Sequence, residues 1–175
     1  FQGRAQSASS EALGDVNLVE GLNSIFNTAG GTGVNTAALN FGTLTRTPGS
    51  AAVLRFNNLG GHGQINGVQT TFTQINGVST ATLGGGLTNN IIGAWAIVDR
   101  EFASYVPGLG IGGLNAAGFP SGDGVNFTGP LASTDNIRFG TSGTTTLAGN
   151  VNIYTLTFTS PSANTTLNLG GNTLT

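Results

Sequence analysis

Bulky apolar residues alternate with polar ones in several short windows of this chain. In Val53-Leu54-Arg55-Phe56 and Asn136-Ile137-Arg138-Phe139, two apolar side chains share one face and the arginine takes the other. Tyr154-Thr155-Leu156-Thr157-Phe158-Thr159 alternates threonine with bulky groups for three cycles, and Thr165-Thr166-Leu167-Asn168-Leu169 does the same with leucine. A period of two on β-branched and aromatic residues predicts half-buried strands. Ser10 to Val19 comes nearest to a helix, but Gly14 interrupts it and Val16-Asn17-Leu18 suits a strand. The expectation is an all-β chain with very little helix. Its core is expected from Leu39, Phe41, Leu54, Phe56, Ile137, Phe139, Leu156, Phe158, Leu167 and Leu169.

Turn punctuation separates the strand windows: Gly30-Gly31, Pro48-Gly49, Gly60-Gly61, Gly84-Gly85-Gly86, Gly112-Gly113, Ser160-Pro161-Ser162 and Gly170-Gly171. Such spacing allows a sandwich, a barrel or a solenoid, and internal self-similarity decides among them. Thr144-Thr145-Thr146-Leu147-Ala148-Gly149-Asn150 recurs as Thr165-Thr166-Leu167-Asn168-Leu169-Gly170-Gly171-Asn172. Two alignments of the copies are open: one sets Asn150 on Asn172, the other sets Thr144 on Thr165. Thr43-Leu44-Thr45-Arg46-Thr47 answers Thr155 to Thr159 in the same manner. A coil of roughly 20–22 residues predicts a right-handed parallel β-helix, or β-solenoid, of one domain over 1–175. Six to eight such coils would extend roughly 30–40 Å at the spacing of paired strands.

Composition fits that architecture. Gly fills 30 of 175 positions, and charged residues make up 7% where about 25% is usual. In a stacked coil, equivalent side chains lie directly above one another. Columns of like charge repel, whereas columns of Thr, Asn or apolar groups support each other. Disorder is not expected, because 38% of residues are hydrophobic and net charge is only −2. Five arginines and no lysine cannot build a phosphate-binding face, so nucleic acid is excluded as a partner. The absence of Cys rules out disulfides and thiolate metal sites. No apolar run approaches the roughly 20 residues of a membrane helix.

Candidate chemistry is sparse. Asp99 with Glu101, and Asp123 with Asp135, are the carboxylate pairs a glycosidase would need, but Arg100 between the first pair suggests a solvated turn. The acidic calcium ligands and basic residue of polysaccharide-processing β-helices are not visible. His62 lies in Gly60-Gly61-His62-Gly63 with no partner in sequence. Gly30-Gly31-Thr32-Gly33-Val34-Asn35 echoes a calcium-binding nonapeptide, with Asn in place of Asp and no second copy. Ser121-Gly122-Asp123-Gly124 reads as an Asp-Gly turn. Threonine runs at 43–47 and 155–159 suggest an ice-binding array, but the intervening coils lack them. Asn126-Phe127-Thr128 and Asn164-Thr165-Thr166 match the glycosylation pattern, as chance allows in an Asn- and Thr-rich chain. Catalytic, cofactor-binding and metal residues are therefore expected to be none.

One region breaks the rhythm. Residues 93–122 hold the sole Trp, one of two Tyr and the Asp99-Arg100-Glu101 triplet. They predict a hairpin or irregular excursion around Asp99 to Glu101 whose aromatics pack on the solenoid flank, followed by a glycine-rich loop from Gly108 to Pro120.

The order of several segments resembles a known family. Ala38-Leu39-Asn40-Phe41-Gly42-Thr43-Leu44-Thr45-Arg46 comes first, then Asn89-Asn90-Ile91-Ile92-Gly93-Ala94-Trp95-Ala96-Ile97-Val98, and then Phe102-Ala103-Ser104-Tyr105. Asn136 to Phe139 and Leu167-Asn168-Leu169-Gly170-Gly171-Asn172-Thr173-Leu174-Thr175 complete the set. This order is similar to that of the autotransporter-associated β-strand repeat proteins, which are long secreted or surface proteins of Gram-negative bacteria such as planctomycetes. The resemblance covers about residues 11 to 175. Ala94 departs from it where a second Gly is common, as do Phe102 and Tyr105 where a second Trp is often found. The resemblance implies a parallel β-solenoid serving as an extracellular stalk, adhesin or fibre, without catalytic residues.

The expected function is thus a non-enzymatic structural protein of the cell surface or extracellular matrix, which extends a fibre by stacking β-coils. The expected partners are further copies or repeats of the chain. Phe1 opens without a leader and Thr175 stops in mid-strand, so a section of a longer chain or an axially stacking subunit is expected. The alternative is a carbohydrate-binding adhesin contacting surface polysaccharide, with Trp95, Phe102 and Tyr105 stacking on sugar rings.

Overall fold

Strand-forming alternation governs the fold. The computed structural model describes residues 1–32, 35–57, 67–82, 87, 90–114, 116, 118–119, 124–125, 127, 131–139, 143–158 and 164–175. The chain is all-β, and the helical element among the described residues is a single 3₁₀ turn at Thr80–Thr82. It forms two compact units, Phe1–Pro120 and Ser121–Thr175, where its length suggests one continuous segment.

The first unit holds β1 (Ala8–Ala12), β2 (Val16–Leu18), β3 (Leu22–Phe26), β4 (Thr36–Arg46), β5 (Val53–Asn57), β6 (Val68–Ile75), β7 (Val78–Ser79), β8 (Ala96–Val98), β9 (Glu101–Val106) and β10 (Gly110–Gly113). The chain visits two sheets in turn. In the first sheet β1 and β2 pair parallel with β4, and β4 pairs parallel with β6. In the second, β3, β5 and β8 form a parallel ladder. The segment nearest to a helical pattern is β1 and β2, split where the Asp15 carboxylate accepts the Thr43 amide at 2.7 Å. A Cβ on Gly42 would stand 2.2 Å from that carboxylate oxygen and push it off the Thr43 amide.

The core lies between these sheets. Leu44, Phe72 and Ile75 come from the first, and Leu54, Phe56, Ala96 and Val98 from the second. Phe41 and Phe72 are register partners with rings stacked at 5.0 Å, and Phe56 meets Phe72 edge-on at 6.2 Å. Such pairs add to burial because ring edges are positive and faces negative.

Antiparallel hairpins interrupt the parallel ladders. Asn76 and Gly77 carry positive φ (50° and 82°) between β6 and β7, the requirement of a tight two-residue hairpin turn. The hairpin expected around Asp99 to Glu101 is present: β8 and β9 pair antiparallel across Asp99, which takes φ 53°. The loop expected from Gly108 to Pro120 is corrected in part. Gly110–Gly113 is a strand on β9, and all four residues are buried. Glycine permits this close approach: a Cβ on Gly110 would lie 2.3 Å from the Thr70 carbonyl oxygen, and one on Gly112 2.3 Å from the Phe119 ring.

The second unit holds β11 (Gly124–Val125), β12 (Asn136–Phe139), β13 (Gly143–Thr146), β14 (Thr155–Phe158) and β15 (Thr165–Asn168). β11, β12 and β14 form one parallel ladder, and β13 with β15 another. Thr165 faces Gly143 and not Thr144, so the asparagine match gives the true register and the threonine match does not. Asn172 Nδ2 donates to the Leu147 carbonyl at 2.9 Å, and Asn150 Oδ1 accepts the Thr173 amide at 2.9 Å. These side-chain bonds lock that register.

The uniform coil of roughly 20–22 residues, expected from the recurrence, is met among the described strands only by the β13–β15 step. In the same unit Gly124 pairs with Ile137 and Asn136 with Thr155, both shorter steps, and the first unit departs from it throughout. There Ala8 pairs with Thr36, Leu22 with Val53, and Leu54 with Ala96, so each step is longer than that coil and the three differ from one another. The widest step, from Leu54 to Ala96, spans the residues that build the β6–β7 hairpin and the 3₁₀ turn. These lengthen the connection without changing the parallel register.

A polar device recurs across these ladders. Asn17, Asn40 and Asn136 each face a threonine at the paired position of the next strand: Thr45, Thr71 and Thr155. In each case the threonine hydroxyl donates to the asparagine Oδ1, at 2.7 Å for both Thr71 and Thr155. A shift of one residue would break the bond and turn every side chain to the wrong face.

Of the expected core, Leu39, Leu54, Phe56, Ile137 and Phe139 are buried, and Phe41 packs half-buried against the cluster. Leu156 and Leu167 are only half-buried. Phe158 and Leu169 are corrected, being 57% and 41% exposed. Phe158 stands on β14, the outermost strand in the order β11-β12-β14, so its ring meets Phe139 on one side at 5.5 Å and solvent on the other.

Candidate functional site

A recess that combines an aromatic ring, a cation and polar side chains arises where the chain leaves β4 for β5. Thr47-Pro48-Gly49-Ser50 is a tight turn, closed by the Ser50 amide on the Thr47 carbonyl at 3.1 Å, with Gly49 at φ 74°. Proline followed by a positive-φ glycine is the signature of a type II turn. The turn brings two carbonyls back over the last residue of β4. Arg46 Nε donates to the Ala52 carbonyl at 2.9 Å, and Arg46 Nη2 donates to the Ser50 carbonyl. The guanidinium is thereby held in one orientation, with Cζ 5.9 Å from the ring centre of Trp95.

Trp95 is placed from the second sheet. Its carbonyl accepts the Leu54 amide at 2.8 Å, which ties it to β5. Its indole packs over Gly93, where a Cβ would lie 2.3 Å from Nε1. Leu44 pairs with Ile75, so the turn after β6 lies at the same end of the first sheet as the turn after β4. Asn76 consequently joins Thr45, Arg46, Pro48 and Trp95 around an open recess of about 500 Å³. That size falls in the usual range for small-molecule sites, about 300–1,000 Å³.

The structure does not assemble the three aromatics expected to contact glycan. Trp95 is half-buried at the recess. Tyr105 is 4% exposed, lies in the core and donates its hydroxyl to the Phe72 carbonyl at 3.4 Å, so it presents no face to a ligand. Phe102 pairs with Ile97 on β8, and the alternation along β9 points it away from Tyr105. The residues that do surround Trp95, chiefly Arg46 and Asn76, were not singled out from sequence. Their signal was present in the Pro48-Gly49 and Asn76-Gly77 turns that end two adjacent parallel strands.

Other sequence candidates stand apart. Asp99 is an exposed hairpin residue, and Asp135 uses its carboxylate to accept the Ala132 amide at 2.8 Å within a turn. Asp123, His62 and Asn126 lie outside the described residues. In the calcium-like segment, of which Gly33 and Val34 are also outside, Asn35 Nδ2 donates to the Gly30 and Gly31 carbonyls. That closes a turn and is not a ligand geometry. Among the described residues no three His, Asp or Glu side chains converge on a cation site. The threonine run on β4 has no threonine column beside it: Thr43 faces Gln74, and Thr45 bonds Asn17. Thr155 is buried, at 7% exposure, and Thr159 lies outside the described residues. Another recess, about 470 Å³ beside Leu147 and Asn150 in the second unit, is lined by Phe127, Leu131 and Ser133, with no charged side chain among the described residues that line it. Among the described residues no helix is long and apolar enough to cross a membrane. No protein-family model, curated protein or solved structure matches the chain.

Proposed function

We propose that this chain is a non-enzymatic structural element of a bacterial surface or extracellular assembly, which works by stacking parallel β-coils into a right-handed β-helix that extends axially. The observation that carries the reading is the aromatic column of the second unit. Phe127 meets Phe139 at 5.7 Å, Phe139 meets its register partner Phe158 at 5.5 Å, and Phe158 ends the column 57% exposed. A ring that meets its neighbour edge-to-face and otherwise stays exposed is apolar surface the next coil would cover, whether from a second copy or from further repeats.

The backbone beside it supports the same reading. Neither β14 nor β15 carries a charged residue or proline, the usual means of discouraging edge-to-edge pairing. Low charge overall leaves little repulsion between stacked copies. The order of segments resembling the autotransporter-associated β-strand repeats agrees with a secreted or surface location. Sedimentation velocity and electron microscopy over a concentration series test the proposal. The unmodified chain should form concentration-dependent oligomers or filaments, and Phe158→Asp should shift them at least fivefold toward monomer. A monodisperse monomer at every concentration would overturn it.

A further inference from the structure

The recess at Trp95 has a chemistry that stacking does not use. It combines one aromatic ring, one fixed cation and two neutral polar side chains, and among the described residues none that lines it is acidic. Two N–H groups of Arg46 are spent on the Ser50 and Ala52 carbonyls, leaving Nη1 for a ligand. Holding the guanidinium by backbone carbonyls removes most of the entropy cost of ordering a long side chain on binding. Guanidinium pairs strongly with a carboxylate, and an aromatic ring offers its face or edge to the C–H surface of a pyranose. Asn76 and Thr45 supply a donor and acceptors of the kind that sugar hydroxyls satisfy. An open recess also suits a chain that passes through it better than a small molecule that must be enclosed.

We infer that this recess binds an acidic saccharide, with the carboxylate of a uronate residue on Arg46 and its ring against Trp95. This stands independently of self-association, since the recess lies within the first unit and the aromatic column within the second. Neutral sugars would leave the Arg46 donors without an anionic partner, and a simple carboxylate would forgo contact with the exposed part of the half-buried Trp95 ring, so both halves are needed for affinity.

Trp95 is the sole tryptophan, so its fluorescence reports the recess directly. Titration with a galacturonate oligomer should give a saturable change in emission that weakens as salt rises. The methyl-esterified form of the same oligomer, which keeps the rings and removes the charge, should bind at least tenfold more weakly. Arg46→Gln should lose the same factor for the acid form. Because Arg46 also holds the Thr47–Ser50 corner, Asn76→Asp provides a second variant. It keeps a residue that tolerates positive φ, places a carboxylate in the recess, and should weaken the acid oligomer tenfold with its circular dichroism unchanged. Equal binding of the esterified oligomer, insensitivity to Asn76→Asp, or no saturable response to the acid form at millimolar concentration would each overturn the inference.

Discussion

Replacing Thr155 with valine removes one hydroxyl while keeping the branched shape that a strand favours. Thr155 is 7% exposed, and its Oγ1 donates at 2.7 Å to Oδ1 of Asn136, which is 1% exposed. The variant leaves no cavity, so the cost falls on the polar pair. Water cannot reach Asn136 to replace the lost donor, and stripping a buried acceptor of a hydrogen bond costs about 1–3 kcal/mol. Burying a methyl in place of the hydroxyl returns up to about 0.8 kcal/mol. The net loss is on the order of 1–2 kcal/mol, about 2–8 °C in melting temperature for a chain of this length. Thr166→Val is the matched control: its side chain is exposed on β15, so it should change stability by less than about 0.5 kcal/mol. Urea unfolding followed by far-ultraviolet circular dichroism is the suitable assay, since Trp95 lies in the other unit and need not report this one. The midpoint should fall for Thr155→Val with the slope unchanged. Equal midpoints for the two variants would refute the claim that Asn–Thr pairs set the register of these ladders.

Two further comparisons separate backbone conformation from packing. Gly110→Ala and Gly49→Ala introduce the same side chain at φ 85° and 74°, but only Gly110 has the Thr70 carbonyl oxygen 2.3 Å from the new Cβ. Gly49→Ala should cost about 1–2 kcal/mol from its backbone alone, and Gly110→Ala measurably more by thermal unfolding; equal costs would mean that the β10–β6 approach is looser than described. Phe72→Ala should cost about 3–5 kcal/mol, because the ring is 2% exposed and touches both Phe41 and Phe56, whereas Phe26→Ala, 51% exposed on β3, should stay near neutral in the same unfolding assay.

Sequence alone determined the all-β character, because alternation on Thr, Phe, Leu and Ile has no other economical burial. It also located Leu54, Phe56, Ile137 and Phe139 in the core, and the hairpin at Asp99, where turn residues and strand windows agree. The recurrence near Thr175 was legible because the Asn150 and Asn172 bonds that lock the ladder are themselves the repeated residues. Tertiary structure decided the rest. In the first unit the steps from Ala8 to Thr36, Leu22 to Val53 and Leu54 to Ala96 follow from connections of unequal length, which leave no periodic trace in the chain. Gly110–Gly113 became a buried strand because only glycine lets β10 approach β6 so closely, and a glycine run in sequence reads equally as a loop. Phe158 and Tyr105 exchanged their expected roles for a similar reason. Both look alike in one dimension, but Tyr105 packs into the core cluster, while Phe158 lies on the last strand of its ladder with one face in solvent. The recess joining Trp95 to Arg46 needed the fold most of all. Its residues are far apart along the chain and meet only because the end of β4 and the start of β8, in different sheets, lie at one corner of the unit.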